Sequence, residues 1–199
     1  MLKFALIGAG RIGRMHGSII ADHTKTELVW VYDILEDNAI TTANTTQARV
    51  AKSLDEIFED DSLDAVLIAS STETHAELIV RAAKAGKAVF CEKPIDLDIK
   101  RVDWCREQIQ GLQVPVQIGF NRRFDPSHRK VADTARDGGI GNLEQVIITS
   151  RDPNPPPKEY YLAAGGMFRD MTIHDFDMAR YVLNEEVETV MAMSATLFD

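Results

Sequence analysis

An α/β fold led by a doubly wound parallel sheet is what the sequence predicts, on three observations. Short apolar runs rich in Val, Ile and Phe alternate with longer amphipathic stretches over the first 119 residues. Runs such as Ala65 to Ala69 are apolar at every position, a pattern that a strand requires when helices cover both faces of its sheet. A glycine-rich turn, Gly8-Ala9-Gly10-Arg11-Ile12-Gly13, joins the first run directly to the first amphipathic stretch.

Taken in order, Leu2 to Ile7 is the first strand and the glycine turn opens a helix near 12–22. A second strand near 27–32 ends in Val29-Trp30-Val31-Tyr32-Asp33, with a helix near 36–46 behind it. Strands near 64–69, 88–91 and 115–119 alternate with helices near 74–85 and 98–110, an order that gives a parallel sheet with helical crossovers. The pattern changes near Phe120. Pro126 to Asp137 is helix-like and ends in Gly138-Gly139-Ile140-Gly141, and the alternating stretch Leu143 to Ser150 reads as a strand. Segment 151–166, with four prolines and paired glycines, cannot sustain a helix or a central strand and reads as an ordered loop over a site. Asp170 to Leu183 reads as a helix with Ile173, Phe176, Arg180 and Leu183 on one face, and Val187 to Leu197 as a long strand. The expected division is a dinucleotide-binding domain over 1–119 and a partial α/β substrate and oligomerisation domain over 120–199.

The 199 residues are 45% hydrophobic and carry a net charge of −9, so the average field repels nucleic-acid phosphates and anionic membrane surfaces. No run approaches the roughly 20 apolar residues of a membrane span. The chain opens directly on a strand pattern, without the basic and apolar regions of a signal peptide. Cys91 and Cys105 form neither a CxxC pair nor a disulfide framework and read as packing residues in a reducing compartment, so a cytoplasmic protein is expected.

The pattern GxGxxG is weak alone but strong between a strand and a helix. Gly8 allows the tight turn, Gly10 lets the backbone approach a pyrophosphate, and Gly13 lets helix and strand pack closely. The amides of Arg11 and Ile12, at the helix N-terminus, are natural phosphate donors. The alternative is a glycine turn without a ligand. Asp33 lies at the end of the second strand, where a carboxylate accepts hydrogen bonds from the adenosine ribose. That position favours NAD over NADP, since a 2′-phosphate would meet a negative charge with no arginine in the following Ile34-Leu35-Glu36. Asp33 as a helix cap is the competing reading.

Other strand ends should line the same crevice: Ser71, Thr72 and His75 after one strand, Glu92 and Lys93 before Pro94 after the next. Thr72 and His75 read equally well as capping and solvated residues opening a helix. Asp170, His174 and Asp177 are spaced i, i+4 and i+7, which puts two carboxylates and an imidazole along one helical face. Such a face suits proton removal from an alcohol near neutral pH, and it is also what a solvated surface helix presents. His16, His23 and His128 have no partners at metal spacing and are given no ligand role.

The segments GAGRIG, STETHAEL, FCEKPI, GFNRRFD and GGMFRDMTIHDFDMARY, in this order, resemble the Gfo/Idh/MocA oxidoreductases over nearly the whole chain. The resemblance implies a Rossmann domain followed by an α/β, dihydrodipicolinate-reductase-like domain, incomplete in 199 residues, that forms the substrate wall and commonly the contact of a homo-oligomer. It implies NAD-dependent oxidation of a ring hydroxyl to a ketone, with a polyol such as myo-inositol as substrate. A sugar or aldose dehydrogenase, or an NAD-binding module without catalysis, are the alternatives. By position, Lys93, Asp170 and His174 match the catalytic residues. Glu92, Lys93, His75 and Arg122 fall with the cofactor, Lys93 near the substrate hydroxyl as well, and Asn121, Asp152 and Asp177 look like substrate contacts. In that chemistry His174 is the base, Lys93 holds the hydroxyl oxygen, and Asp170 orients Lys93 or His174.

Overall fold

A computed structural model describes residues 1–152, 154 and 164–195. The chain divides into two compact units, the first running from Met1 to Gly119 and the second opening at Phe120.

The first unit is a six-stranded sheet in the order β3-β2-β1-β4-β5-β6. Its strands are β1 (Leu2–Ile7), β2 (Thr26–Tyr32), β3 (Arg49–Val50), β4 (Ala65–Ile68), β5 (Ala88–Cys91) and β6 (Val116–Ile118). Every pairing is parallel. Five helices, α1 (Arg11–Asp22), α2 (Glu36–Thr46), α3 (Leu54–Phe58), α4 (Thr72–Lys84) and α5 (Ile99–Ile109), make the connections. Side chains alternate between two cores, as the continuous apolar runs require: Ile7, Val66 and Ile68 enter one, Leu6 and Leu67 the other. The register pairs Ile7 with Tyr32 and Ile68, and Ile68 with Cys91. The residues that follow, Gly8, Asp33, Ala69 and Glu92, therefore leave the sheet along one edge. The chain reverses its direction of travel across the sheet between β1 and β4, and a crevice opens at that edge in this kind of fold.

The expected strands and helices of this unit are present within two residues of their predicted ends. Two further elements, β3 and α3, were not anticipated. β3 has only two residues, too few for periodicity to register, and is anchored by the Arg49 guanidinium 3.9 Å from the centre of the Trp30 ring. α3 is started by Ser53, which accepts from the Glu56 amide at 3.3 Å while the Glu56 carboxylate accepts from the Lys52 amide at 2.8 Å. Cys91 and Cys105 are buried and unbridged, and burial pushes both thiols up, which keeps them protonated and unreactive.

Trp30 also ties β2 to the loop before β4, donating its indole N–H to Asp60 at 2.8 Å. Hydrogen bonds from Ser62 and then from Trp30 hold the Asp60 carboxyl down to about 2. A carboxyl depressed on folding stabilises the protein above its unfolded value, and that stabilisation fades as pH falls through the folded one. Asp60→Asn should therefore lower the melting temperature at pH 7, with the gap to the parent closing between pH 4 and pH 2. A gap that stays constant over that range would exclude the ionised carboxylate as its source.

The second unit begins with a 3-10 turn, Asn121–Phe124, followed by α6 (Pro126–Arg136). Asp125 caps α6 by accepting the amides of Ser127 and His128, both at 2.9 Å, and Pro126 fits the first helical position because its missing N–H costs nothing there. Among the described residues two helices follow, α7 (Met167–Asp170) and α8 (Ile173–Leu183), and α8 ends at Asn184, whose φ of 55° gives a left-handed C-terminal residue. Ala132 of α6 packs with Met178 and Val182 of α8, beside Leu143, Val146 and Tyr181.

This unit departs from expectation in three ways. The helix expected over 170–183 is broken at Met171 and Thr172, so Asp170 closes one helix and His174 belongs to the next. The packed face of α8 is Asp177, Met178, Tyr181 and Val182, while Phe176 is 51% exposed. A carboxylate goes inward here because it is paired, which a hydrophobic pattern cannot register. Leu143 to Ser150 and residues 187–195 contain no strand among the described residues, and Ile147 and Val190 are about four-fifths exposed at 80% and 78%. An extended segment becomes a strand only against a hydrogen-bonded neighbour. Residues 153, 155–163 and 196–199, most of the proline-rich loop and the end of the last strand candidate, lie outside the described residues.

Candidate functional site

The three glycines of the turn sit in three different surroundings. Gly8 has φ +92°, and a Cβ there would lie 2.4 Å from the Ser70 nitrogen. A Cβ on Gly13 would lie 1.9 Å from the Gly8 carbonyl oxygen, so helix α1 can sit against β1 only with hydrogen at that position. Gly10 has ordinary dihedrals, and among the described residues its missing Cβ would meet no atom within 4 Å. Packing among the described residues does not demand a glycine at position 10, and the backbone there is open to close approach. Gly10 is also the N-cap of α1, with no side-chain cap and no acidic residue in the first turn, so the helix presents its amides, including those of Arg11 and Ile12, to an anion.

Asp33 stands at the end of β2 beside this turn. One carboxylate oxygen accepts the Ala9 amide at 2.6 Å, and the other accepts the Leu35 amide at 2.8 Å. It is a loop anchor rather than the N-cap of α2, a place taken by Leu35. The Leu35-bound oxygen also accepts the Asn38 side-chain amide at 3.5 Å, so the acceptor capacity left on this carboxylate, with about four lone-pair sites in all, lies on the oxygen that holds Ala9. The constellation can hold a pyrophosphate at α1 and a ribose diol at Asp33, which is what a dinucleotide demands.

After β4, Ser71 is the N-cap of α4 with no side-chain cap, and Thr72 is the first helical residue. His75 is 2% exposed, with ring nitrogens 2.8 Å from the Pro94 carbonyl and 3.0 Å from the Ser70 carbonyl. The solvated alternative for His75 does not hold: the imidazole ties the turn after β4 to the turn that carries Lys93. Glu92 follows β5 and lies 2.7 Å from the Nε2 of His16. His16 was given no role from the sequence, yet Gly13, His16, Gly17 and Ile20 follow the i, i+3, i+4, i+7 spacing of an inward helical face, which was the available signal.

In the second unit, consecutive arginines pair with alternate carboxylates of α8. Arg122 donates to Asp175, which also accepts the Ser150 hydroxyl at 2.6 Å. Arg123 donates to both oxygens of Asp177 at 2.8 and 2.7 Å, and these bonds hold its guanidinium above the ordinary arginine range. Asp177 is 6% exposed. Arg122 and Asp177, expected at cofactor and substrate, are thus held in ion pairs with the framework of this unit. Asn121 opens the 3-10 turn, Asp152 is exposed at the edge of the proline-rich segment, and Asp170 and His174 flank the break between α7 and α8.

Residues 2–120 match the family profile described as "Oxidoreductase family, NAD-binding Rossmann fold", and residues 128–199 match one described as "GFO/IDH/MocA C-terminal domain". The chain is 47% identical over 198 residues to the inositol 2-dehydrogenase of Rhizobium meliloti (strain 1021), covering 100% of this chain and 60% of the relative. A myo-inositol dehydrogenase structure from Corynebacterium glutamicum ATCC 13032 superposes with a TM-score of 0.87 at 48% identity, over 92% of this chain and 55% of that one. A scyllo-inositol dehydrogenase from Lactobacillus casei, solved with bound NAD(H) and scyllo-inositol, gives 0.82 at 31% identity, over 94% and 57%. The chain spans about 60% of the length of the curated relatives it matches.

Proposed function

Since the chain belongs to the Gfo/Idh/MocA oxidoreductase family, we propose that the protein is an NAD-dependent dehydrogenase that oxidises a ring hydroxyl of a polyol, foremost myo-inositol, to the ketone. The observation that carries the reading is the glycine turn itself. Gly10 faces open space beside uncapped helix amides, with the Asp33 carboxylate fixed at the end of the neighbouring strand. The polyol is suggested by the inositol dehydrogenases among the relatives.

In this reading Arg11 and Ile12 give their amides to the pyrophosphate, Asp33 receives the adenosine ribose, and Ser71, Thr72, His75, Glu92 and Arg122 belong to the cofactor side, His75 through the two loops it joins. NAD supplies the hydride acceptor. The residues of the chain manage proton and charge: His174 takes the hydroxyl proton, Lys93 hydrogen-bonds the hydroxyl oxygen as negative charge develops, and Asp170 orients Lys93 or His174. Asn121 and Asp152 are the proposed hydroxyl contacts, and Asp177 contributes to the substrate wall by fixing Arg123. A cytoplasmic location fits the two buried free thiols and the net charge of −9. Among the described residues no helix is long and apolar enough to cross a membrane. A homo-oligomer would cover apolar side chains such as Met191 and Met193, which are 89% and 88% exposed.

The test is the rise in absorbance of reduced nicotinamide with NAD+ or NADP+ and myo-inositol, scyllo-inositol or a panel of aldoses. NAD+ with myo-inositol should give turnover. Asp33→Ser should narrow the preference for NAD+ over NADP+ by about tenfold, the removal of one repulsive charge near a phosphate. Turnover on aldoses alone would make it a sugar dehydrogenase, and cofactor binding without turnover on any of them would make it a binding module.

A further inference from the structure

The contact between His16 and Glu92 lies outside everything the reaction requires of the glycine turn, and its position in the sheet gives it a task. Asp33 marks the adenosine end of the crevice at β2, and the α1 N-terminus marks the pyrophosphate. A dinucleotide laid across the switch point between β1 and β4 must then place its second nucleotide over the ends of β4, β5 and β6. Glu92 is the first residue beyond β5. Its main chain is fixed there, donating to the Ile68 carbonyl at 2.9 Å, and the Gly119 amide beyond β6 donates to the Cys91 carbonyl at 2.7 Å.

The side chain of Glu92 is confined as well. His16 Nε2 lies 2.7 Å from one carboxylate oxygen, with the side chains of His16 and Glu92 only 16% and 21% exposed. The His16 ring stands edge-on to Phe90 of β5 at 5.4 Å between centroids, which limits its rotation. On the other side is Gly119, where any Cβ would lie 3.1 Å from a Glu92 oxygen. A carboxylate is thus clamped among β5, β6 and α1, where the second nucleotide must lie.

The oxidised nicotinamide ring carries one positive charge and the reduced ring none. A fixed carboxylate on that side attracts the first form and is indifferent to the second. We propose that His16 is a positioning residue that holds Glu92 beneath the nicotinamide end of the cofactor, and that the pair sets how much more tightly oxidised than reduced cofactor binds. The inference rests on the NAD reading above.

The experiment is a fluorescence or calorimetric titration of the protein with NAD+ and with NADH, comparing the ratio of the two dissociation constants. Glu92→Gln keeps shape and removes charge, and should shift the ratio against NAD+ by about three- to tenfold, the effect of one partly screened charge. His16→Ala releases the carboxylate and should shift it the same way, while His16→Gln, which keeps an N–H donor, should restore it. Simple loosening of the fold would weaken both forms alike and leave the ratio unmoved. A ratio unchanged in Glu92→Gln or in His16→Ala, or a His16→Gln protein no better than His16→Ala, overturns the proposal. An unsubstituted protein that binds neither form overturns the dinucleotide reading itself, a separate result.

Discussion

Gly13→Ala is expected to melt far below the parent and to lose NAD+ affinity by at least about a hundredfold, in keeping with a buried backbone clash of roughly 3 kcal/mol or more. The new Cβ would sit 1.9 Å from the Gly8 carbonyl oxygen, and that atom is main chain, so no rotamer change relieves it. Gly8 cannot retreat either, because its amide donates to the Tyr32 carbonyl at 2.8 Å and its α-carbon already faces Ser70 and Ala69. Relief requires α1 to lift off β1, which dismantles the proposed phosphate site. Gly10→Ala provides the contrast. Its Cβ meets nothing among the described residues, so the melting temperature should stay near that of the parent while NAD+ affinity falls. Thermal melts and cofactor titrations of the two variants check both halves. A Gly13→Ala protein with the parent's melting temperature would show that the helix can be displaced freely.

Lys93→Ala and His174→Ala are each expected to lower kcat on the polyol by about 10²- to 10⁴-fold, the range that a positioned proton-transfer or charge-stabilising group supplies. The dissociation constant for NAD+ should change little, because in the proposed site the glycine turn and Asp33 hold the adenosine and pyrophosphate parts. Loss confined to kcat marks an interaction made in the transition state, whereas a rise in KM alone would mark a binding contact. A variant with undiminished turnover removes that residue from the mechanism.

The first unit was legible because its physics is local. Continuous apolar runs required a sheet covered on both faces, and the two cores entered alternately by Leu6 and Ile7, and by Leu67 and Ile68, are that requirement met. The glycine turn was legible because its spacing encodes backbone geometry rather than side-chain chemistry. Ser53 and Glu56 carried a capping signal for α3, but five residues give too little periodicity to draw attention. The second unit resisted for a different reason. Asp177 reads as a surface or substrate-facing carboxylate until Arg123, 54 positions away, is known to hold both its oxygens. His16 and Glu92 are likewise 76 positions apart. The helical spacing around His16 marks its inward face, but the identity of a partner at such a separation leaves no periodic trace.

The hydrogen bond from the Ala9 amide to Asp33 bears on the kinetics of cofactor capture. In the proposed site, the turn that would approach the pyrophosphate is braced by a hydrogen bond within the protein from the strand end that would receive the ribose. Little ordering of the main chain is left for the encounter complex, so association should be set by diffusion and orientation rather than by loop rearrangement. Rigidity of this kind also makes the two ends of the adenosine moiety report on each other. A substitution at Asp33 frees the Ala9 amide, so it should be felt at the pyrophosphate as well as at the ribose, and differences in affinity between such variants should appear chiefly as faster cofactor escape.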